Sequence, residues 1–350
     1  MSLNINPKKL YLSKVFGNSD LLNIILNFAI NKKYKLVDWI SEDYIFSKDN
    51  HNDDICHNIN AVELIVEKMK ENYQFNWDFL CKNPSAISLI KNEIKNNTSN
   101  INWGNIFANT NAIELIEDEI KTNTHNLNEC WIKYSLFSNP NAIHLIEKII
   151  SYNNISIPYV ALFKNPNAKH LIEEISKKTP EKLSWWILCK NPASISILEK
   201  ELLKEPKTQI HLYWDRICKN PNAIHLIEKQ LIKNPETINW GCLCKNPNAI
   251  HLIEKRLKTH PEDIRIDFLF KNPNAVHLIE DILKSNKKMC HFWSLVKNTN
   301  PKALIIFKDY CQKTGFKLDK STFDCYRHFK KNPNIFENSR DYYDGIFSIY

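Results

Sequence analysis

The sequence predicts an all-α fold, an α-solenoid of about ten helix-turn-helix units, on three observations. An Asn-Pro-Asn-Ala motif recurs with a modal spacing of 26 residues, as from Asn220 to Asn246 to Asn272. After each motif the apolar residues keep helical spacing, as in Ala249, Ile250, Leu252, Ile253 and Leu257, which leaves one buried stripe. Only 5 of 350 residues are glycine, about 1.4% against a usual share of roughly 7%. Gly17, Gly104, Gly241, Gly315 and Gly345 are too dispersed to form a phosphate-cradling loop or a dinucleotide fingerprint.

Residues 1–57 read as an N-terminal helical cap. Leu21, Leu22, Ile24, Ile25, Phe28 and Ala29 suggest a helix, Trp39 and Ile40 follow, and Ser47 to Asp54 is polar and loop-like. Residues 58–297 hold the repeats. Their opening asparagines are Asn58, Asn83, Asn109, Asn139, Asn165, Asn191, Asn220, Asn246, Asn272 and Asn298, with a degenerate copy at Asn332. An Asn there can cap a helix by accepting a backbone N–H, and the Pro that usually follows has no donor to lose. The long helix is expected to begin at this marker. Before it, an aromatic stands six residues upstream and an aliphatic three upstream, as in Trp77 and Leu80, Trp185 and Leu188, or Trp240 and Leu243. That spacing suits a short helix of one or two turns, with Lys133 and Ile266 departing from the rule. The longer intervals after Asn109 and Asn191 belong in loops behind the long helix. Residues 298–350 read as a degenerate last repeat and a C-terminal cap ending in Tyr342, Tyr343, Phe347 and Tyr350. At ~8–10 Å per packed helix, ten stacked units predict an open body on the order of 90 Å long.

The run Ile238-Asn239-Trp240, then Leu243, then Asn246-Pro247-Asn248-Ala249-Ile250-His251-Leu252-Ile253-Glu254 resembles the Asn-Pro repeat proteins of giant nucleocytoplasmic DNA viruses. Asn332-Pro333-Asn334-Ile335-Phe336-Glu337 is similar to the way such arrays end. The resemblance spans roughly residues 58 to 340 and implies an architecture and a viral origin, with the host cytoplasm or a viral factory as location. It implies no catalytic residue.

A net charge of +8, from 47 basic and 39 acidic residues, is spread without a polybasic block. Ten cysteines without a recognisable leader point to reduced thiols in the cytoplasm. The longest apolar stretch, Leu21 to Ile30, is too short to cross a bilayer, so no membrane role is expected. Cys56, Cys81, Cys189, Cys218 and Cys244 lie two residues before a marker, where other units place Phe107, Phe137, Phe163 and Phe270. Interchange with Phe predicts a buried apolar slot. Cys242 and Cys244 lack the second pair a zinc site needs, and the loop of His51, Asp53, Asp54 and His57 reads as solvated. No metal or cofactor is expected.

Two recurring rows are candidate contact surfaces. His144, His170, His225, His251 and His277 stand five residues after the marker, nearly opposite the buried stripe. They read either as a solvated face or as a partner-binding ladder. Lys82, Lys164, Lys190, Lys219, Lys245, Lys271 and Lys297 immediately precede the marker. They suit the negative end of the short helix, or a track for anions. Against the second, Glu117, Glu147, Glu173, Glu199, Glu228, Glu254 and Glu280 recur eight residues after the marker. No nucleophile elbow, zinc-protease helix or carboxylate pair stands out. The expectation is a non-enzymatic scaffold for a host or viral protein, with an RNA- or DNA-binding helical-repeat protein as the alternative, its oligomeric state left open.

Overall fold

The computed structural model describes residues 34–37, 40, 42–46, 52–96, 100–123, 129–151, 156–204, 209–285, 292–315 and 329–338. The expected helix over Leu21 to Ala29, Trp39 and the closing tyrosines lie outside them. The fold is all-α, with one two-stranded pairing among the described residues.

The Asn246 unit shows how the residues build each repeat. Asn239 caps the short helix Trp240–Leu243, its Oδ1 accepting from the Cys242 N–H at 2.9 Å. The chain then turns through Asn246, Pro247 and Asn248 into the long helix Ile250–Thr259. Asn246 Oδ1 accepts from the Asn248 N–H at 3.0 Å. The marker thus caps the turn, and the α-helix begins four residues later than the sequence suggests. Ala249 and Ile253 are fully buried against neighbouring units, as are Leu243 and Cys244 of the short helix. The longer intervals fall in connectors, between Thr122 and Glu129 and between Leu202 and Gln209, behind the long helices Ile113–Thr122 and Ile195–Leu202.

The other half of each marker side chain joins the units. Asn246 Nδ2 donates both of its hydrogens backwards, to the carbonyls of Cys218 and Asn220, each at 2.9 Å. Asn272 does the same to Cys244 and Asn246. The Asn220 carbonyl also accepts from the Ala223 N–H at 3.1 Å, and proline explains why the Cys218 carbonyl is open. The Cys218 carbonyl would be served by residue 221 or 222 in a continuing helix, but Pro221 has no N–H and the Asn222 N–H is held by Asn220 Oδ1. Only the next unit's carboxamide is left to satisfy it. A second, exposed bond accompanies many of these, as from Asn248 Nδ2 to the Pro221 carbonyl at 2.9 Å.

This ladder has no free end. Asn332 Nδ2 donates to the Val296 and Asn298 carbonyls, and Asn58 Nδ2 donates to the Lys330 and Asn332 carbonyls at 3.0 and 2.9 Å. The first marker is therefore the successor of the last, and eleven asparagines form a circle. The unit at the seam is made from both parts of the chain. Where a long helix would follow Asn332, strand β2 (Phe336–Asn338) pairs antiparallel with β1 (Tyr34–Leu36), in the register Leu36↔Phe336. Ile40, Ile45 and Phe46 pack there with Phe329, Ile335 and Phe336 in one buried cluster. Lys331 pairs with Asp54 at 2.9 Å.

The solenoid is thus closed on itself, in place of the open body of about 90 Å with two separately covered ends. A turn of roughly 33° per unit, accumulated over the circle, brings the ends together. For equivalent points on such a ring, neighbour spacing is proportional to distance from the axis. Neighbouring short helices, such as Trp77–Lys82, Trp103–Ala108 and Cys130–Ser138, make close backbone contact, and the long helices stand farther apart. The short helices are the inner layer. A carboxamide reach of about 3.5 Å plus a bond of about 3 Å puts the ladder roughly 12 Å from the axis.

Candidate ligand-binding face

The inner helices bury their residues two and three before the marker outward, against the long helices; Leu188 and Cys189 are fully buried in this way. Positions one, four and five before the marker consequently face the axis. Lys82, Lys164, Lys190, Lys245 and Lys297 are exposed there, and Lys219 and Lys271 are half-buried. Ring closure extends the row: Lys331 precedes Asn332, so seven consecutive units from Lys164 onward carry a lysine at this place. His57, Ala108 and Ser138 interrupt the circle.

Aromatic rings stand between these cations. Lys245 Nζ lies 3.6 Å and Lys271 Nζ 5.4 Å from the centre of the Phe268 ring. Lys164 Nζ lies 5.1 Å from the centre of Tyr134 and donates to its hydroxyl. Arg216 stacks on Trp186, which is 53% exposed. The lysines feel one another. Burial, and then the charge of Lys297, with smaller parts from Lys245 and Arg265, pulls the Lys271 ammonium below its usual range against the opposing Asp267. Carboxylates relieve the row at Asp78, Asp215 and Asp267, each five residues before a marker, and at Asp54, which pairs with Lys331. Asp215 stands 3.9 Å from Lys219.

The histidine row belongs to the outer layer and is engaged within the ring. His144, His225, His251 and His277 each place Nε2 at 2.5–3.0 Å from Glu117, Glu199, Glu228 and Glu254 of the preceding unit, and His170 bonds Glu147 likewise. Ser196 takes the same place in its unit and bonds Glu173, whose carboxyl is held below the usual range chiefly by that hydroxyl. Five of the seven recurring glutamates therefore serve the outer histidines, Glu173 serves Ser196 and Glu280 pairs with Lys302 at 2.9 Å, where the sequence predicts that they offset the lysine row. Exposed pairs of this kind are worth about 0–1 kcal/mol each.

The loop reading of Asp54 needs correction. Asn52–His57 is a 3-10 helix, Asp54 is buried in its ion pair with Lys331, and His57 lies against Phe79 with ring centres 4.4 Å apart. A solitary carboxylate at this depth would be costly, and its partner comes from the far end of the chain. The cysteine slot is as expected: Cys56, Cys81, Cys189, Cys218 and Cys244 are all fully buried. Lys330 occupies the same slot in the last unit. Burial pushes the Cys189 and Cys218 thiols up to about 12 and the Cys244 thiol to about 11. A thiolate is the reacting species, so at pH 8 a disulfide reagent is expected to label exposed Cys130 within minutes and to leave these three intact in the native protein. Peptide mass spectrometry reads this out, and Cys218 reacting as fast as Cys130 would contradict the buried slot.

The sequence does not lead directly to the inter-unit role of the marker asparagines, but it holds a clue. A capping role alone allows Ser, Thr or Asp, yet every marker in the circle is Asn. No helix among the described residues is long and apolar enough to cross a membrane. No protein-family model, curated protein or solved structure matches the chain.

Proposed function

We propose that this protein is a non-enzymatic ring that binds an anionic chain, a single-stranded nucleic acid, along the axis-facing side of its short helices. The supporting observation is the run of lysines from Lys164 to Lys297 in consecutive units, with Trp186 and Phe268 among them and Tyr134 against Lys164. Cations that track a backbone and rings that accept bases are the two parts of sequence-tolerant strand binding. The histidine row contributes to cohesion between units through its glutamates, so it supplies little to a ligand. A protein partner is the second reading. Trp131, Val160 and Trp186 are 50%, 47% and 53% exposed on the same stretch, and exposed aromatics anchor protein interfaces. The resemblance to giant-virus repeat proteins would place either activity in an infected cell.

Anisotropy of a labelled oligouridylate or oligothymidylate separates these readings. Each phosphate contacted on a single strand contributes about −0.7 to the slope of log K against log salt. With about four lysines engaged, affinity should fall roughly 50-fold between 50 and 200 mM NaCl. Absence of binding at 50 mM, or affinity indifferent to salt, overturns the nucleic-acid reading.

A further inference from the structure

We propose that Trp186, Lys164, Lys190 and Arg216 form a pocket for one nucleotide of the bound strand, the base against Trp186 and its phosphate among the three cations. The inference rests on the strand-binding reading and gives it a location. A cleft of about 330 Å³ lies between the units of Asn165, Asn191 and Asn220, lined by these four residues together with Phe163, Ile187, Asn191 and Pro192. It holds three cations, one indole and no carboxylate.

Two features distinguish it from the rest of the row. Five residues before the marker, where Asp78, Asp215 and Asp267 stand elsewhere, this stretch carries Tyr134, Val160 and Trp186. The adjacent carboxylate, Asp215, is turned to Lys219. In addition, Arg216 Nε is buried and has no hydrogen-bond partner among the described residues. A buried donor of that kind is costly while unsatisfied, and a phosphate oxygen would satisfy it. Tyr134 holds the Lys164 ammonium by its hydroxyl and ring, so this cation is positioned before a ligand arrives. Arg216 occupies one side of the indole, and a base would stack on the exposed remainder.

The test uses two probes on the full chain. Oligouridylate binding is measured by anisotropy for the native protein, Trp186→Leu, the pair Lys164→Ala with Lys190→Ala, and a control pair, Lys245→Ala with Lys271→Ala, from the same row outside the cleft. Thermal unfolding checks that each variant keeps its fold. Trp186→Leu and the Lys164/Lys190 pair should each weaken binding tenfold or more, and by several times more than the control pair. Independently, uridine monophosphate should shift the indole N–H resonance that disappears in Trp186→Phe, and uridine without phosphate should not. If the strand binds but both cleft variants behave like the control pair, the pocket is overturned and the strand reading stands. If the mononucleotide shifts Trp186 and no strand binds, the pocket stands and the strand reading falls. If neither ligand binds, both are overturned.

Discussion

Replacing Asn246 by Asp is expected to lower the unfolding free energy by about 3–5 kcal/mol, the range for breaking a buried charged or fully bonded partner. The carboxamide makes three bonds in a site closed to water: two donations to Cys218 and Asn220, and one acceptance from Asn248. A carboxylate of the same shape has no donors, so two of the three are lost at once. It also faces two carbonyl oxygens, an arrangement that favours its protonation over its charge. Asn248→Ala, which removes the exposed bond to Pro221, should cost no more than about 1 kcal/mol. Urea unfolding of both variants checks this. An Asn246→Asp protein within 1 kcal/mol of the original would mean that the ladder reports the fold without stabilising it.

Deleting residues 1–46 should have the larger effect on shape. Strand β1 and the side chains of Ile40, Ile45 and Phe46 would be lost from the seam, and each fully buried apolar side chain is worth about 1.5–3 kcal/mol. The Asn58–Asn332 connection would then have to hold the ring without the packing around it. We expect the radius of gyration from solution scattering to rise, together with a loss of roughly 5 kcal/mol in unfolding free energy and a broader urea transition. If the shortened chain scatters as the same ring, the asparagine circle alone is sufficient for closure.

Most of the local structure is legible before any coordinates. The spacing of Ala249, Ile250, Leu252 and Ile253, the Trp240–Leu243 pair and the cysteine slot all follow from period and polarity. Closure is not, because the period gives the size of a unit and says nothing of its rotation against the next. That rotation depends on how closely the inner helices approach compared with the outer ones, which packing decides. The pairing of Asp54 with Lys331 is hidden for the same reason, since nothing local relates residues so far apart in sequence. The rows of the candidate face were visible as rows. Whether they point inward, and whether their members already have partners, depends on the circle: His251 finds Glu228, and Lys190 finds no carboxylate in its cleft.

The closed ladder also constrains how such a gene can vary. An open repeat array gains or loses a unit with little penalty, because only a neighbour interface is added or removed. Here a ten-unit relative would need roughly 36° at every interface in place of about 33°, while each carboxamide still has to meet the same two carbonyls behind it. Unequal recombination between near-identical motifs such as those at Asn220, Asn246 and Asn272 would therefore yield a product that must strain all its junctions or leave one open. Copy number, usually the freest property of a tandem repeat, is tied in this chain to geometry.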